Sequence, residues 1–172
     1  MQGTGCTRRA ALALLGGGLL AAVATGCGWR LRGAPGGASL EGRALQVRDQ
    51  AGSPELRRAV RRGIEGAGGR EVEDLAAADW VLTLHGHGRS RRKGQVGTDG
   101  EVVDYELTYT VTYSVASHEG ETLLRRQSLE AQRTFAEPAG GADARRAREE
   151  ELEAELRAEA VRLMMLRLQT LD

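Results

Sequence analysis

The stretch "VVDYELTYTVTYSV" alternates strictly between apolar and polar side chains. Val103, Tyr105, Leu107, Tyr109, Val111, Tyr113 and Val115 take one parity, and Asp104, Glu106, Thr108, Thr110, Thr112 and Ser114 take the other. A period of two over this length predicts a long strand with one buried face and one polar face. The tyrosine stripe then reads as core, with each hydroxyl needing a partner. "SHEGE" supplies a turn, and "TLLRRQSLEAQRTF" (Thr122–Phe135) reads as the antiparallel return strand. The period of this return is poorer, which leaves its register open.

Shorter patterns surround that hairpin. "ALQVRD" (Ala44–Asp49) reads as a first strand, "REVED" as a possible short one and "WVLTLHGHG" (Trp80–Gly88) as another. "RSRRKGQVGTDG" (Arg89–Gly100) is a loop or an extension of that strand. Helical spacing appears in "SPELRRAVRRGIEGAGG", where Leu56, Ala59, Val60 and Ile64 share a face. Ser53 caps that helix, Pro54 suits its first position and Glu55 suits its positive end. Residues 143–171 form a second, longer helix capped by Asp143, with Leu152, Leu156, Ala160 and Leu163 as its buried stripe. Its end, "LMMLRLQTL", is apolar on more than one side and needs deep packing or a partner.

The order β-α-β-β-β-β-α lets both helices cover one apolar sheet face. The expected class is α+β, a two-layer sandwich of a roughly four- to five-stranded mixed sheet with two helices packed on one face. There is no internal repeat.

Composition narrows the function. Basic and acidic residues balance at 24 each, and aromatic residues make up only 3%. A nucleic-acid binder, with its basic excess and base-stacking rings, is not indicated. No nucleophile elbow, phosphate loop or carboxylate dyad is present. His85 and His87 lie two apart on a predicted strand, which would aim both rings to one face. With His118 or a carboxylate they would make at most half of a metal site. No metal or cofactor is expected.

The N-terminus changes the picture more. Arg8 and Arg9 precede the uncharged run "AALALLGGGLLAAVA" (Ala10–Ala24), then come Thr25, Gly26 and Cys27. A basic start, a short apolar centre and small residues at its end read as an export signal, residues 1–26. The run is too short to span a membrane as a helix. Ala24-Thr25-Gly26-Cys27 resembles the lipobox of bacterial lipoproteins, in which the cysteine becomes the acylated mature N-terminus. Arg8 and Arg9 in "TRRAAL" weakly resemble a twin-arginine signal, so the export route stays open. Cys6 leaves with the signal, so Cys27 has no intramolecular disulfide partner. The alternative for Cys27 is a buried free thiol. The mature chain keeps 22 basic and 24 acidic residues. Residues 27–43 read as anchor and flexible tether, rich in Gly, Ala, Pro and Ser from Gly33 to Gly42. Residues 44–172 read as a single domain.

Taken together, "CGWRLRG" (Cys27–Gly33), "SPELRRAV", the hairpin "DYELTYTVTYSV" with "EGETLLRRQSLEAQRTF", and the helix "EEELEAELRAEAVRLMMLRLQTL" resemble the LptE family of lipopolysaccharide-assembly lipoproteins. The resemblance runs through nearly the whole mature chain in the family's order. It implies a non-enzymatic outer-membrane lipoprotein, anchored by Cys27 in the inner leaflet and facing the periplasm. Gly28 stands where an Asp would signal retention in the inner membrane. The implied partners are an LptD-type β-barrel, which the protein plugs and helps assemble, and lipopolysaccharide on its way to the outer leaflet.

Lipopolysaccharide carries phosphates, and Arg binds phosphate in a bidentate manner. Candidate residues are Arg89, Arg91, Arg92 and Lys93 before the long strand, and Arg145 and Arg146 at the start of the last helix. Family members place functional basic residues near these loops, away from the anchor. One such position falls near the "DGEVVDY" turn, where this chain has Thr98, so Arg91, Arg92 or Lys93 would take the role. A basic loop can equally be a solvated surface. Arg145 and Arg146 oppose the helix macrodipole and could instead pair with Glu149 and Glu150. Arg57, Arg58, Arg61 and Arg62 read as an exposed helix face or a contact with the barrel wall. The alternative overall reading is a generic periplasm-facing lipoprotein that binds another envelope component.

Overall fold

The computed structural model describes residues 40–98, 100, 102–136 and 138–171. The expected signal, Cys27 and the expected tether up to residue 39 lie outside the described residues.

Strand β1 (Ala44–Asp49) leads into helix α1 (Pro54–Gly66) and the two-residue strand β2 (Arg70–Glu71). A 3-10 turn at Leu75–Ala77 precedes the long strands β3 (Trp80–Lys93), β4 (Asp104–Ser117) and β5 (Thr122–Ala136). Helix α2 (Gly141–Leu168) closes the chain. The five strands form one sheet in the order β2-β1-β3-β4-β5. β1 is parallel to both β2 and β3, and the β3-β4-β5 meander is antiparallel. This is the expected α+β class, a mixed open sheet with two helices.

Strand β4 behaves as its alternation dictates. Tyr105 through Val115 at odd positions are buried, and the even positions are half-buried. Val103 departs from the expectation. It is 49% exposed and lies just before β4, where the hairpin narrows toward its tip. The β3 strand absorbs the first part of the expected basic loop, and an isolated bridge between Val96 and Val102 continues the hairpin beyond it. The register of β5 is now set, with Tyr105 opposite Phe135 and Tyr109 opposite Ala131.

Helix α1 follows its local signals. The Ser53 hydroxyl accepts a hydrogen bond from the Leu56 amide at 3.3 Å, a cap that contributes about 1 kcal/mol. Leu56, Ala59, Val60 and Ile64 are buried. A hydrogen bond from its own backbone amide holds the Glu55 carboxyl below its ordinary 4.5, and Arg58 adds to the effect. Arg57 and Arg61 both reach Glu71 of β2, so part of the basic face ties the helix to the sheet edge.

Helix α2 differs from the expectation at its start. Gly140 and Gly141 adopt positive φ, at 113° and 72°, and the helix begins two residues before Asp143. Gly140 occupies the cap position with no side-chain hydrogen bond, so Asp143 is not the cap. Asp143 sits instead in the first turn and pairs with Arg146. The buried stripe holds Leu152, Leu156 and Ala160, then shifts to Val161, Met164, Met165 and Leu168, leaving Leu163 half-buried. Leu166 remains 47% exposed. The two helices approach closely at Gly63, where a Cβ atom would stand 2.7 Å from Cγ1 of Val161.

Candidate functional site

The basic end of the hairpin is organised by a single irregularity. Leu84 pairs with Tyr113 and Gly86 pairs with Thr112, so His85 is an extra residue in β3. A bulge of this kind shifts every later side chain to the opposite face. Beyond it, His87, Arg89, Arg91 and Lys93 lie opposite Val111, Tyr109, Leu107 and Tyr105, on the helix-covered side. Arg92 lies opposite Glu106 on the other face and pairs with it.

The two histidines therefore do not share a face, contrary to the expectation from simple alternation. At His85, the Nδ1–H donates to the Gln50 side-chain carbonyl at 3.0 Å, and Nε2 accepts from the Ser114 hydroxyl at 2.8 Å. His87 lies on the core side, with Nδ1 3.2 Å from the Tyr109 hydroxyl. Among the described residues, no group of three or more His, Cys, Asp or Glu is arranged to hold a metal.

On the helix side, the strand cations meet α2. Arg91 donates to Glu149 at 2.5 Å, and Arg89 donates to Glu153 at 2.9 Å. Glu153 also receives Arg157 at 3.0 Å, one helical turn along. The guanidiniums of Arg91 and Arg145 both stand by the Tyr105 ring, 5.2 and 5.4 Å from its centre. Arg145 also reaches the Tyr105 hydroxyl at 3.4 Å. Guanidinium carbon over an aromatic face is a favourable cation–π arrangement. Tyr105 in turn stacks on Phe135, with ring centres 5.7 Å apart.

The structure thus brings Arg89, Arg91 and Arg145 around one tyrosine ladder. Lys93 is exposed on the same side at the strand end. Arg146 is exposed and turned toward Asp143, and Glu149 is taken up by Arg91. Arg92 stands apart on the far sheet face. Thr98 is exposed in the hairpin turn.

The residues that sequence reading missed are Glu149 and Glu153 as strand partners, and Tyr105 as the ring shared by two guanidiniums. A signal for the bulge was present in "HGHG", since isolated glycines within a strand pattern mark such sites.

Burial raises the hydroxyl pKa of Tyr109 and of Tyr113 above the ordinary 10.0. For Tyr109 a hydrogen bond with Arg157 offsets part of this, and for Tyr113 a hydrogen bond with Gln127 does so. The Gln127 amide donates to the Tyr113 hydroxyl at 2.9 Å. Strand and helix side chains supply the partners these hydroxyls need.

The site lies far from the start of the described domain. Leu40 hydrogen-bonds to Ala67, and Ala44 of β1 is held by the Asp79 carboxylate at 2.7 Å, beside the first residue of β3. Lys93, at the other end of β3, is thirteen residues from Trp80, about 43 Å at ~3.3 Å per residue. Among the described residues, no helix is long and apolar enough to cross a membrane.

Comparison with known proteins agrees with this architecture. The solution structure of an uncharacterized lipoprotein B from Nitrosomonas europaea superposes with a TM-score of 0.66 at 19% identity, covering 83% of this chain and 91% of that one. The crystal structure of the rare lipoprotein B from Shewanella oneidensis gives 0.63 at 25% identity, covering 73% and 93%. A minor lipoprotein from Acinetobacter baumannii gives 0.62 at 16% identity, covering 74% and 90%. No curated protein sequence matches the chain. The family profile described as "LptE: Lipopolysaccharide-assembly" matches residues 42–168, nearly the whole described domain. The chain belongs to the LptE family of lipopolysaccharide-assembly proteins.

Proposed function

We propose that this chain is an outer-membrane lipoprotein that plugs and helps assemble an LptD-type β-barrel, and that it binds lipopolysaccharide at the tip of the β3–β4 hairpin. Its role is binding and assembly rather than catalysis. Acyl chains on Cys27 hold it to the inner leaflet, because one chain alone gives only marginal binding and stable anchoring needs more. The domain then extends away from the membrane surface into the barrel lumen.

The observation that carries the reading is the pair of guanidiniums, Arg91 from β3 and Arg145 from α2, gathered at the Tyr105 ring. Two forks on separate rigid elements are suited to grip one phosphate from two sides. Lys93 and Arg89 widen the basic surface, and the apolar tip residues Val96 and Val103 stand exposed nearby. Those side chains fit the acyl portion of an amphipathic ligand.

The test is lipopolysaccharide binding by the detergent-solubilised full chain. Arg91→Gln with Arg145→Gln is expected to weaken binding about tenfold or more, while Arg62→Gln leaves it unchanged. Equal binding by the double variant would overturn the assignment of this site. Mild extraction is expected to yield a stable one-to-one complex with a large β-barrel. A lone monomer would instead favour a lipoprotein serving another envelope component.

A further inference from the structure

A second site, at the opposite end of the sheet and on its other face, is built by two bulges that flank one residue of β4. The first is the extra His85 in β3. The second lies in β5. Tyr113 pairs with Gln127 and Val115 pairs with Leu124, so Arg125 and Arg126 together face the single residue Ser114. Two residues opposing one lose normal alternation, and bulges recur where a side chain must be re-aimed. Here both arginines line one open pocket of about 330 Å³ with His85, Ser114 and Thr122, beside the apolar Val115, Ala116 and Leu124.

The charge in this pocket is one-sided. Neither Arg125 nor Arg126 makes an ion pair with a described residue, and no carboxylate lines the pocket. His85 is pinned by Gln50 on one side and Ser114 on the other, in the neutral tautomer that donates from Nδ1. Desolvation lowers its pKa from 6.5, and the Arg126 charge adds to this. Two guanidiniums without an ion pair among the described residues, beside the Thr122 hydroxyl as donor, suit a tetrahedral oxyanion, since Arg forks match phosphate oxygens in pairs.

We infer that Arg125, Arg126 and Thr122, with the His85–Ser114 pair as the floor, bind a phosphate group, either free or carried by a phospholipid headgroup. This site is separate from the proposed lipopolysaccharide end. Ser114 and Tyr105 are nine residues apart along β4, about 30 Å at ~3.3 Å per residue, and they point to opposite faces. The pocket also lies toward the end of the sheet where the described chain begins.

The test follows the His85 ring resonances of the full chain in a non-ionic detergent, assigned with His85→Gln. One titration uses inorganic phosphate. A second uses dihexanoyl phosphatidylglycerol below its micelle concentration. Saturable shifts in both titrations, weakened about tenfold or more by Arg125→Gln with Arg126→Gln, support the site and show that free phosphate suffices. Shifts with the lipid alone, lost in the same variant, support it and assign the headgroup as the source. Arg126→Gln alone and Thr122→Ala are each expected to weaken binding while leaving the melting temperature close to that of the parent. The inference is overturned if neither titration moves His85, or if the double variant binds as tightly as the parent.

Discussion

Arg91 of β3 and Glu149 of α2 meet at 2.5 Å although 58 residues separate them in the chain. Glu149 is the one buried charged residue among the described residues, at 7% exposure, whereas Arg91 remains partly open to solvent. The pair fastens the first half of the long helix to the hairpin, so Arg91 has a structural duty beside its proposed ligand role. Removing the cation leaves a buried carboxylate without its main partner, a costly state. Arg91→Ala is expected to cost about 1–3 kcal/mol, below the ~3–5 kcal/mol typical of a fully buried pair because the guanidinium is partly exposed. A double-mutant cycle with Glu149→Ala should give a coupling near 1–2 kcal/mol in denaturant unfolding. A coupling of zero would show that the contact contributes nothing.

The close approach of the helices makes a contrast between two glycines. A side chain at Gly63 runs into Val161 and then into Met165. Gly63→Val should destabilise the domain by about 1–3 kcal/mol through overpacking. Gly66, on the same helix, has open space where its Cβ would stand. Gly66→Ala should be neutral or stabilising by up to about 1 kcal/mol from helix propensity. Thermal melts of the two variants check both signs, and similar shifts would contradict the packing.

Acid should weaken the fold through His85. Its folded pKa lies below 6.5, first because of desolvation and then because of Arg126. The unfolded chain therefore takes up the proton first. Stability is full above about pH 6.5 and falls as the pH drops from there through the folded pKa. His85→Gln, which keeps a polar group in place, should flatten this part of the stability curve. An unchanged acid limb would assign the loss to other groups.

Alkali should act through Tyr109 and Tyr113, whose burial raises both hydroxyls above 10.0. A raised pKa stabilises the fold below the unfolded value, and that contribution is lost as pH rises from about 10 through the folded values. Absorbance of tyrosinate should show Tyr109 and Tyr113 titrating late, together with unfolding. Early titration of both would contradict their burial.

Anchoring is expected to depend on Cys27 alone. Cys27→Ala should be exported yet extract from membranes without detergent when the barrel is absent. Retention equal to the parent in that background would rule out the acylated cysteine as the anchor.

Much of this protein is written in short-range pattern. The alternation through Tyr105–Val115 determined β4 and its buried face, and Ser53-Pro54-Glu55 determined where α1 begins. The α+β order followed from these elements, because each signal needs only neighbours in the chain. What tertiary structure decided is parity and partnership. One extra residue at His85 turned Arg89 and Arg91 toward α2, left Arg92 with Glu106 on the far face, and parted the two histidines. Positive-φ glycines at 140 and 141 moved the start of α2 ahead of Asp143. Glu149 found Arg91, and Arg145 found Tyr105, only once the helix lay across the sheet. Alternation predicts a side chain's face only while the register runs unbroken, and a bulge depends on how the neighbouring strand pairs.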